Sequence, residues 1–356
     1  MPISSASHSP PLRGEPWLHR FVATQNILLS AVNGTLRCPR AMVVRPHPGA
    51  GLGNRLRVLA CSLFLAALTE RLLVFDYPSN QYAVSELRLL RPAVVQWDPS
   101  RFPSHLRGCW TSGSQHAPRQ VDQSVLRLPF NGHGAFLRSE VEALIAPRVL
   151  LINGWNHDVT PALQRAPQLQ AALRERRLDL GSFTHTSMFA TQALAALFRP
   201  SQMLARMLSE ARRGRNGIEA AVHVRVNDAK NASRNEQQWR HVARLMASCA
   251  VGLLRATAPG SGSVKSNATV YLASNEAYVV EEMWLAIKNT SYIPYALPTG
   301  AGGRSHSGFN HGHNATAALL DLLLLQAAER FVGTAGSSFS EHSMILGAGR
   351  IQGDPL

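Results

Sequence analysis

Lysine is scarce in this chain of 356 residues. Only three lysines, Lys230, Lys265 and Lys288, stand among 36 basic residues, so the other 33 are arginines. The formal net charge is +14, but the arginines are scattered along the chain and form no dense basic block. A nucleic-acid-binding surface normally clusters its basic residues on one face or helix. We therefore expect no nucleic-acid partner, although the charge suits the steering of a small anionic ligand.

Cysteine is the next shortage, with four residues and no CxxC pair. No histidine stands at zinc-ligand spacing from any of them, which excludes the common structural zinc sites. Cys61 lies within a strongly apolar run, so we predict a buried thiol there. The other three, Cys38, Cys109 and Cys249, allow one disulfide whose pairing the sequence does not select.

Long apolar runs are missing as well. The first 17 residues are polar and proline-rich, and the longest apolar stretch, residues 58–75, is interrupted by Thr69, Glu70 and Arg71. A membrane-spanning helix needs about 20 consecutive apolar residues, so neither a signal peptide nor a membrane anchor is visible in this chain. Five Asn-x-Ser/Thr sequons nevertheless favour a secretory compartment. They begin at Asn33, Asn231, Asn267, Asn289 and Asn314.

The rest of the composition is that of a globular protein. Apolar residues make up 45% of the chain and charged residues 16%, which argues against disorder. The length allows two domains, each with its own core. We expect a tail over residues 1–38, an N-terminal domain over residues 39–197 and a C-terminal domain over residues 198–356.

The N-terminal domain opens with a strand, a helix and a second strand. Residues 41–45 form a β-rich run, residues 54–69 carry apolar residues in steps of three and four, and residues 72–75 form another apolar run. A βαβ unit of this kind implies a parallel sheet. Residues 78–147 look irregular, and residues 148–152 predict another buried strand.

The C-terminal domain alternates helices and strands more regularly. Predicted helices cover residues 201–212, 237–257, 277–288 and 317–328, predicted strands cover 219–226, 269–273 and 330–333, and a last helix opens at 343–346. This alternation predicts a doubly wound α/β domain. Such domains bind ligands at the carboxyl ends of their strands.

A glycine turn lies between the first strand and the first helix. It contains Gly51, Gly53, Asn54 and Arg55. Glycines there allow a tight turn, and the helix N-terminus offers free N–H groups to a phosphate. Leu56 replaces the third glycine of the dinucleotide fingerprint. Asn54 either binds a ligand or simply caps the helix.

The strand over residues 219–226 carries two polar side chains among valines. His223 and Arg225 are two residues apart, so they lie on the same face of the strand, and Asp228 follows them. Near the carboxyl end of a parallel strand, that face would meet the ligand crevice, and arginine suits an anionic partner. The alternative is an edge strand whose polar face meets water, with Asp228 in a turn.

A second loop rich in hydroxyl groups follows the last predicted strand. It contains Thr334, Ser337 and Ser338 around two glycines, and Asp321 begins the apolar run that precedes it. Hydroxyl and backbone N–H groups ahead of a helix form another place for phosphates. The alternative is an ordinary loop with helix caps.

Together and in this order, these motifs resemble those of the GDP-fucose-dependent fucosyltransferases of the α1,2, α1,6 and protein-O types. Residues 51–56 are similar to the opening motif of that superfamily, and residues 222–228, 270–276 and 320–337 are similar to its three donor motifs. The resemblance implies a GT-B-like α/β fold with two Rossmann-like domains facing a cleft.

The resemblance also implies a role for each matching residue. Arg225 would bind the β-phosphate and stabilise the charge that develops on departing GDP, which makes it the implied catalytic residue. His223 and Asp321 would recognise the guanine or its ribose. The other implied donor-binding residues are Gly51, Gly53, Asn54, Arg55, Asp228, Thr334, Ser337 and Ser338.

The implied reaction is an inverting, metal-independent transfer of fucose from GDP-fucose to a glycan or glycoprotein hydroxyl, without a cofactor. The α1,6 branch carries a lysine and an acidic catalytic candidate after its motif, but residues 229–233 contain no carboxylate here. Glu236 is the nearest acid and therefore the candidate base. The acceptor stays open, because residues 78–195 are expected to form much of its pocket and show almost no resemblance to the family.

Two alternatives use the same residues differently. A nucleotide-sugar-binding pseudoenzyme would keep the donor site and lack a base. A Rossmann NAD(P) oxidoreductase would place Asp76, roughly 20 residues beyond the glycines, on the ribose, but would leave His223 and Arg225 without a role. If the natural N-terminus is longer, the resemblance and the sequons together imply the lumen of the secretory pathway, in the Golgi.

Overall fold

The computed structural model describes most of both halves of the chain. The described residues are 16–30, 39–46, 51–76, 89–106, 123–126, 149–154, 167–175, 193–194, 196–213, 215, 217–226, 235–256, 268–297, 315–334, 337 and 339–340. The chain divides into two units. The first contains Met1–Ala50, Asn54–Val84 and Leu90–Arg199, and the second contains Gly51–Gly53, Ser85–Leu89 and Pro200–Leu356.

The first unit contains a parallel sheet with the strand order β2-β1-β5-β4. Its strands are β1 (Ala41–Pro46), β2 (Leu72–Phe75), β4 (Gln123–Leu126) and β5 (Val149–Gly154). Helix α2 (Leu52–Thr69) connects β1 to β2. The predicted βαβ unit is therefore present, and the helix begins two residues earlier than expected.

Helix α2 is buried almost all round. The helix has 18 residues and a mean hydropathy of 1.3, so it is long and apolar enough to cross a membrane. However, 89% of it is buried inside the protein. Two polar residues enter this core because their hydroxyls donate to the backbone one turn earlier: Ser62 to Val58 O and Thr69 to Leu65 O, each over 2.7 Å. α2 is thus a core helix, and the predicted burial of Cys61 is confirmed.

Helix α1 (Pro16–Ser30) lies in the segment that we expected to be a tail. Trp17, Leu18 and Phe21 are buried because they share one helical face. The Gln25 amide is buried too: its Nε2 donates to Arg71 O over 2.8 Å, and its Oε1 accepts from the N–H of Leu73 over 3.0 Å. These bonds attach α1 to β2, which ends the described sheet on that side. The expectation of a tail therefore does not hold for this helix.

Short elements occur along residues 90–200 besides the strands of the first sheet. Strands β3 (Leu90–Pro92) and β6 (Phe198–Pro200) form a two-stranded sheet, and helix α3 (Pro167–Glu175) stands between them in the sequence. Two single turns of 3₁₀ helix, Pro99–Arg101 and Ser104–Leu106, follow β3. The segment predicted to be irregular therefore contains ordered pieces that are too short for periodicity to detect.

An aromatic cluster packs these pieces against the first sheet. The rings of Phe75 and Trp97 lie 5.1 Å apart, and the ring of Phe198 lies 5.4 Å from that of Trp97. The Trp97 indole N–H also donates to Leu197 O over 2.6 Å, so the buried ring leaves no unsatisfied donor.

The second unit contains a parallel sheet with the strand order β10-β7-β8-β9. Its strands are β7 (Ala220–Val224), β8 (Thr269–Ser274), β9 (Ile293–Tyr295) and β10 (Arg330–Gly333). Its helices are α4 (Gln202–Arg212), α5 (Glu236–Ala256), α6 (Ala277–Lys288) and α7 (Ala315–Gln326). The alternation predicted for this half is present, and the helix predicted at 343–346 lies outside the described residues.

The two faces of this sheet differ because side chains alternate along a strand. On one face, Val222, Val224, Val270 and Leu272 form a core cluster together with buried residues of α5 and α6. The opposite face carries His223 of β7 and Tyr271 of β8, and Tyr271 reaches α7. These two polar strand residues therefore lie on the face of the sheet that meets α7.

Candidate functional site

Strand β7 occupies the interior of its sheet. β10 lies on one side of it and β8 on the other, so the alternative of an edge strand with a polar face in water is wrong. The chain runs from β7 through β8 to β9 on one side and then returns to place β10 on the other. Strand order therefore reverses between β7 and β10, and in open α/β sheets the ligand crevice lies at such a switch point.

His223 faces inwards near this switch point. Its side chain is fully buried, and its Nδ1 lies at a hydrogen-bonding distance of 2.6 Å from Ser340 Oγ. The Phe339 ring packs against it at a centroid distance of 5.0 Å. Both partners belong to the segment that follows β10, where a helical turn begins. The structure therefore brings the predicted histidine and the hydroxyl-rich loop together, and recognition of guanine by His223 stays a prediction.

Arg225 stands just past the end of β7 and is half-buried. Its backbone N–H donates to Thr334 Oγ1 over 2.8 Å. Burial lowers the pKa of its guanidinium below the ordinary value, and the nearby carboxylate of Glu276 opposes that shift. An arginine keeps its charge at neutral pH, and a partly desolvated cation attracts an anion more strongly than one in bulk water. Arg225 is thus suited to an anionic ligand.

The hydroxyls of the loop after β10 bind the protein itself. The N–H and Oγ1 of Thr334 both donate to His223 O, over 3.1 and 3.3 Å. Ser337 donates its N–H to Thr334 O over 3.2 Å, and its Oγ accepts from the N–H of Ser340 over 3.4 Å. These contacts match the alternative of a loop with caps. Phosphate binding by Ser337 stays a prediction, and Ser338 lies outside the described residues.

Asp321 belongs to α7 and is buried. It accepts a hydrogen bond from the hydroxyl of Tyr271, which is fully buried in β8. The Tyr295 ring lies 5.4 Å from that of Tyr271, and Arg215 stacks 3.5 Å above the Tyr295 ring. Sequence reasoning missed this cluster, although Tyr271 is the one aromatic residue of its strand. The role of Asp321 in recognising guanine or ribose stays a prediction.

The Tyr271 phenol makes the stability of the protein change with pH in the alkaline range. Burial raises its pKa well above the ordinary value of 10.0, and the charge of Asp321 raises it further. At pH values above 10, the folded protein therefore keeps this proton while the unfolded chain loses it. Its stabilisation is complete below pH 10 and is lost as pH rises from there towards the folded pKa.

We expect the free energy of unfolding to fall more steeply with pH above pH 10 in the wild type than in a Tyr271→Phe variant. The difference in slope is expected to reach about 1.4 kcal/mol per pH unit, because the variant has no phenol proton at this position. Urea unfolding at pH 9, 10, 11 and 11.5 measures the free energy of unfolding of both proteins. Equal slopes above pH 10 would contradict the assignment of this proton to Tyr271.

The glycine turn lies at the start of α2. The helix begins at Leu52, so Asn54 and Arg55 lie in its first turn, and the alternative role of Asn54 as the helix cap is wrong. Among the described residues, a Cβ added at Gly51 would meet no heavy atom within 4 Å. The predicted binding of a donor by Gly51, Gly53, Asn54 and Arg55 stays a prediction. Asp228 lies outside the described residues.

Glu236, the candidate base, is the first residue of α5. Arg240 donates to its carboxylate from Nε over 2.9 Å and from Nη2 over 2.7 Å. The same guanidinium donates to Glu282 of α6 over 2.9 Å, and Arg244 approaches Glu282 to 3.2 Å. Glu236 therefore takes part in an ion-pair network between two helices, which gives its carboxylate a structural role.

Asp76 also has an internal partner. Its Oδ2 accepts from Nε and Nη2 of Arg45 over 2.8 and 2.5 Å, and the carboxylate is buried. Arg45 lies in β1 and Asp76 directly follows β2, each one residue beyond Val44 and Phe75, the last pair of these neighbouring strands. Because this ion pair occupies the carboxylate that an NAD(P) oxidoreductase would place on a ribose, the structure disfavours that alternative.

One further residue, at the carboxyl end of the sheet in the second unit, was not given a role from the sequence. Asn275 follows β8, and its amide bonds Val226 twice: Oδ1 accepts from the N–H over 2.8 Å and Nδ2 donates to the carbonyl over 3.2 Å. Two features of the sequence point to it: its position directly after a buried strand, and its place within residues 270–276, which are similar to a donor motif. Glu276, the next residue, supplies the carboxylate near Arg225.

No group of three or more His, Cys, Asp or Glu side chains suited to a metal ion occurs in the part of the chain that the structure describes. This observation covers only those residues. Independence from a metal therefore stays a prediction that the resemblance implies.

Comparison with known proteins gives matches among solved structures. The sequence matches no protein-family model and no curated protein. The chain is similar to a mutant of FUT1 from Arabidopsis thaliana in complex with GDP, with a TM-score of 0.58 and 17% identity, covering 94% of this chain and 74% of that one.

Two further structures show weaker similarity. NodZ alpha-1,6-fucosyltransferase from Bradyrhizobium, soaked with GDP-fucose, gives a TM-score of 0.48 and 14% identity, covering 86% of this chain and 92% of that one. POFUT1 in complex with GDP-fucose gives a TM-score of 0.44 and 12% identity, covering 90% of this chain and 96% of that one.

The similarity to the Arabidopsis protein defines the fold. This chain has the fold of a GDP-bound fucosyltransferase, so the predicted GT-B-like α/β class is confirmed. The resemblance to GDP-fucose-dependent fucosyltransferases, first drawn from the motifs, is confirmed at the level of the fold.

Proposed function

We propose that the protein is a fucosyltransferase that moves fucose from GDP-fucose to a hydroxyl of a glycan or glycoprotein. One observation carries the proposal: His223 and Arg225 meet the loop after β10 at the point where strand order reverses. The fold shared with a GDP-bound fucosyltransferase supports it. The secretory compartment and the glycan class of the acceptor belong to the same proposal.

The guanidinium of Arg225 supplies the main catalytic effect. In an inverting transfer, the acceptor oxygen forms a bond to the anomeric carbon while the bond from that carbon to the β-phosphate oxygen breaks. GDP departs with the bonding electron pair, so negative charge grows on the β-phosphate. A fixed, partly desolvated cation beside that phosphate stabilises the transition state more than the ground state.

The acceptor hydroxyl must also lose a proton. No carboxylate follows the His223 motif closely, and Glu236 is ion-paired with Arg240. We therefore assign little of the rate to a general base on the protein. The positive charge that develops at the anomeric carbon makes even a neutral hydroxyl an adequate nucleophile, and the proton leaves to water as the new bond forms.

A nucleotide-sugar-binding protein without transfer activity is the second candidate. The engagement of Glu236 with Arg240 favours it, because the nearest acid to the motif already has a partner. Both candidates predict a GDP site at the end of β7. They differ only in turnover, so an assay of transfer and hydrolysis separates them.

Ligand-induced stabilisation tests the donor site directly. We expect GDP and GDP-fucose to raise the melting temperature, whereas UDP-sugars and NAD leave it unchanged, because a ligand that binds only the folded state adds about 2.7 kcal/mol at 100 times its Kd. GMP is expected to stabilise less than GDP, since it lacks the β-phosphate that Arg225 binds. Thermal shift measured over a concentration series of each ligand checks this.

GDP-mannose completes the ligand series, because it shares the nucleotide and differs only in the sugar. Stabilisation by NAD alone would contradict the proposal and restore the oxidoreductase. Stabilisation by GDP-fucose without release of GDP, on an array of glycan and glycopeptide acceptors, would select the binding protein over the enzyme.

A further inference from the structure

The backbone just beyond β7 is held by side chains from both neighbouring strands. On the β10 side, the N–H of Arg225 donates to Thr334 Oγ1 over 2.8 Å. On the β8 side, the Asn275 amide accepts from the N–H of Val226 over 2.8 Å and donates to its carbonyl over 3.2 Å. Two consecutive residues are thus fixed from opposite sides.

These contacts begin where the regular pairing of the sheet ends. The last pair between β7 and β10 is His223 with Gly333, and the last pair between β7 and β8 is Val224 with Ser274. A backbone N–H that is withdrawn from water needs another acceptor. The side chains of Thr334 and Asn275 supply these acceptors one residue further along, so they extend the hydrogen-bonding pattern of the sheet to Arg225.

Thr334 links both residues of the motif. Its Oγ1 accepts from the Arg225 N–H and donates to His223 O over 3.3 Å, and its own N–H donates to the same carbonyl over 3.1 Å. A hydroxyl has only one proton to donate. Because that proton points to His223 O, the Thr334 hydroxyl serves the backbone of the motif in this arrangement.

We propose that Thr334 is a positioning residue for Arg225, with Asn275 as its counterpart on the β8 side. The inference rests on the proposed function, since it concerns how the guanidinium is aimed at the departing phosphate. Thr334 acts through the backbone of Arg225 and is not itself a side-chain ligand of the phosphate. Displacing a catalytic group by about 1 Å can lower a rate about 100-fold, so the fixed backbone matters to turnover.

The chain offers a matched control for Thr334 in Thr290. The hydroxyl of Thr290 donates to Ile287 O over 2.6 Å and accepts from the N–H of Tyr292 over 3.2 Å, between α6 and β9. Both threonines are half-buried and join one backbone carbonyl to one backbone N–H. Replacing either by valine keeps the shape and removes both bonds. Only the Thr334 change touches the backbone of Arg225.

We expect Thr334→Val to lower kcat for fucose transfer by about 10- to 100-fold, with less than about a 3-fold change in the KM for GDP-fucose, because the lost alignment acts in the transition state. Thr334→Ser keeps the hydroxyl and is expected to restore most of kcat. Thr290→Val is expected to lower the melting temperature about as much as Thr334→Val and to retain kcat. Asn275→Leu is expected to repeat the loss of kcat.

A second readout follows the backbone itself. Amide hydrogen exchange of the Arg225 N–H, measured by NMR or mass spectrometry, is expected to be slow in the wild type and Thr290→Val, and at least about 10-fold faster in Thr334→Val. If Thr334→Val loses no more kcat than Thr290→Val, or Thr334→Ser is as slow as Thr334→Val, the positioning role is overturned.

The two proposals fail in different ways. A wild type that neither binds GDP nor transfers fucose overturns the proposed function, and with it the catalytic meaning of Thr334. Amide exchange at Arg225 still decides whether Thr334 holds that backbone. Equal exchange in all three proteins overturns the inference even where the wild type is an active transferase.

Discussion

Replacing Arg225 by alanine is expected to lower kcat/KM for fucose transfer by about 10²–10³-fold while the protein stays folded. This is the usual cost of removing one preorganised donor from a developing negative charge. Arg225 is half-buried at the end of β7, and its bond to the Thr334 hydroxyl comes from its backbone N–H, which the alanine variant keeps. Steady-state kinetics with GDP-fucose, together with far-UV circular dichroism, measure the effect.

Two variants sharpen this test. Arg330→Ala removes another half-buried arginine, at the opposite end of β10, and is expected to leave transfer within about 2-fold of the wild type. Arg225→Lys keeps the charge without the planar fork of donors and is expected to fall between the wild type and the alanine variant. Near-normal turnover by Arg225→Ala would remove the basis of the proposed function.

Replacing Asp321 by alanine is expected to lower the free energy of unfolding by about 2–3 kcal/mol, because the Tyr271 hydroxyl then stays buried without this acceptor. Tyr271 is fully buried in β8, and Asp321 is buried in α7, so water does not readily replace the lost group. Asp321→Asn retains an acceptor and is expected to cost less than about 1 kcal/mol. Urea denaturation of both variants measures the difference.

Glu329→Ala provides the control for the loss of an acidic side chain. Glu329 is exposed, and its ion pair with Arg330 is loose, with 3.6 Å between the charged atoms. A separate fall in GDP affinity for folded Asp321→Asn would support the recognition of guanine or ribose that the resemblance implies. Unchanged stability of Asp321→Ala would contradict the structural role of the bond to Tyr271.

Much of the fold could be predicted because its large elements have clear periodicity. The helix Ala277–Lys288 and the strands Leu72–Phe75 and Arg330–Gly333 match their predicted bounds. Helix α1 was missed because its start follows a proline-rich segment, and its docking depends on the amide of Gln25 meeting a distant strand. Three-residue strands such as β9 are too short to show a period.

The site was predictable in its residues and less so in its contacts. Alternation along one strand indicated that His223 and Arg225 share a face, and the doubly wound pattern indicated the end of the strand at which ligands bind. Their partners, Ser340 and Thr334, lie more than 100 residues further along the chain. These contacts depend on which strand lies beside β7, and periodicity does not determine strand order.

The position of β10 has a consequence for how this protein is made in the cell. A ribosome releases β7, β8 and β9 well before residues 330–333 emerge, so one flank of β7 waits uncovered while the chain is still growing. His223 meets Ser340, and Arg225 meets Thr334, only after residues 334–340 have also left the ribosome. The proposed nucleotide site therefore forms later than β7, β8 and β9 are made, and a premature stop before residue 330 leaves it incomplete.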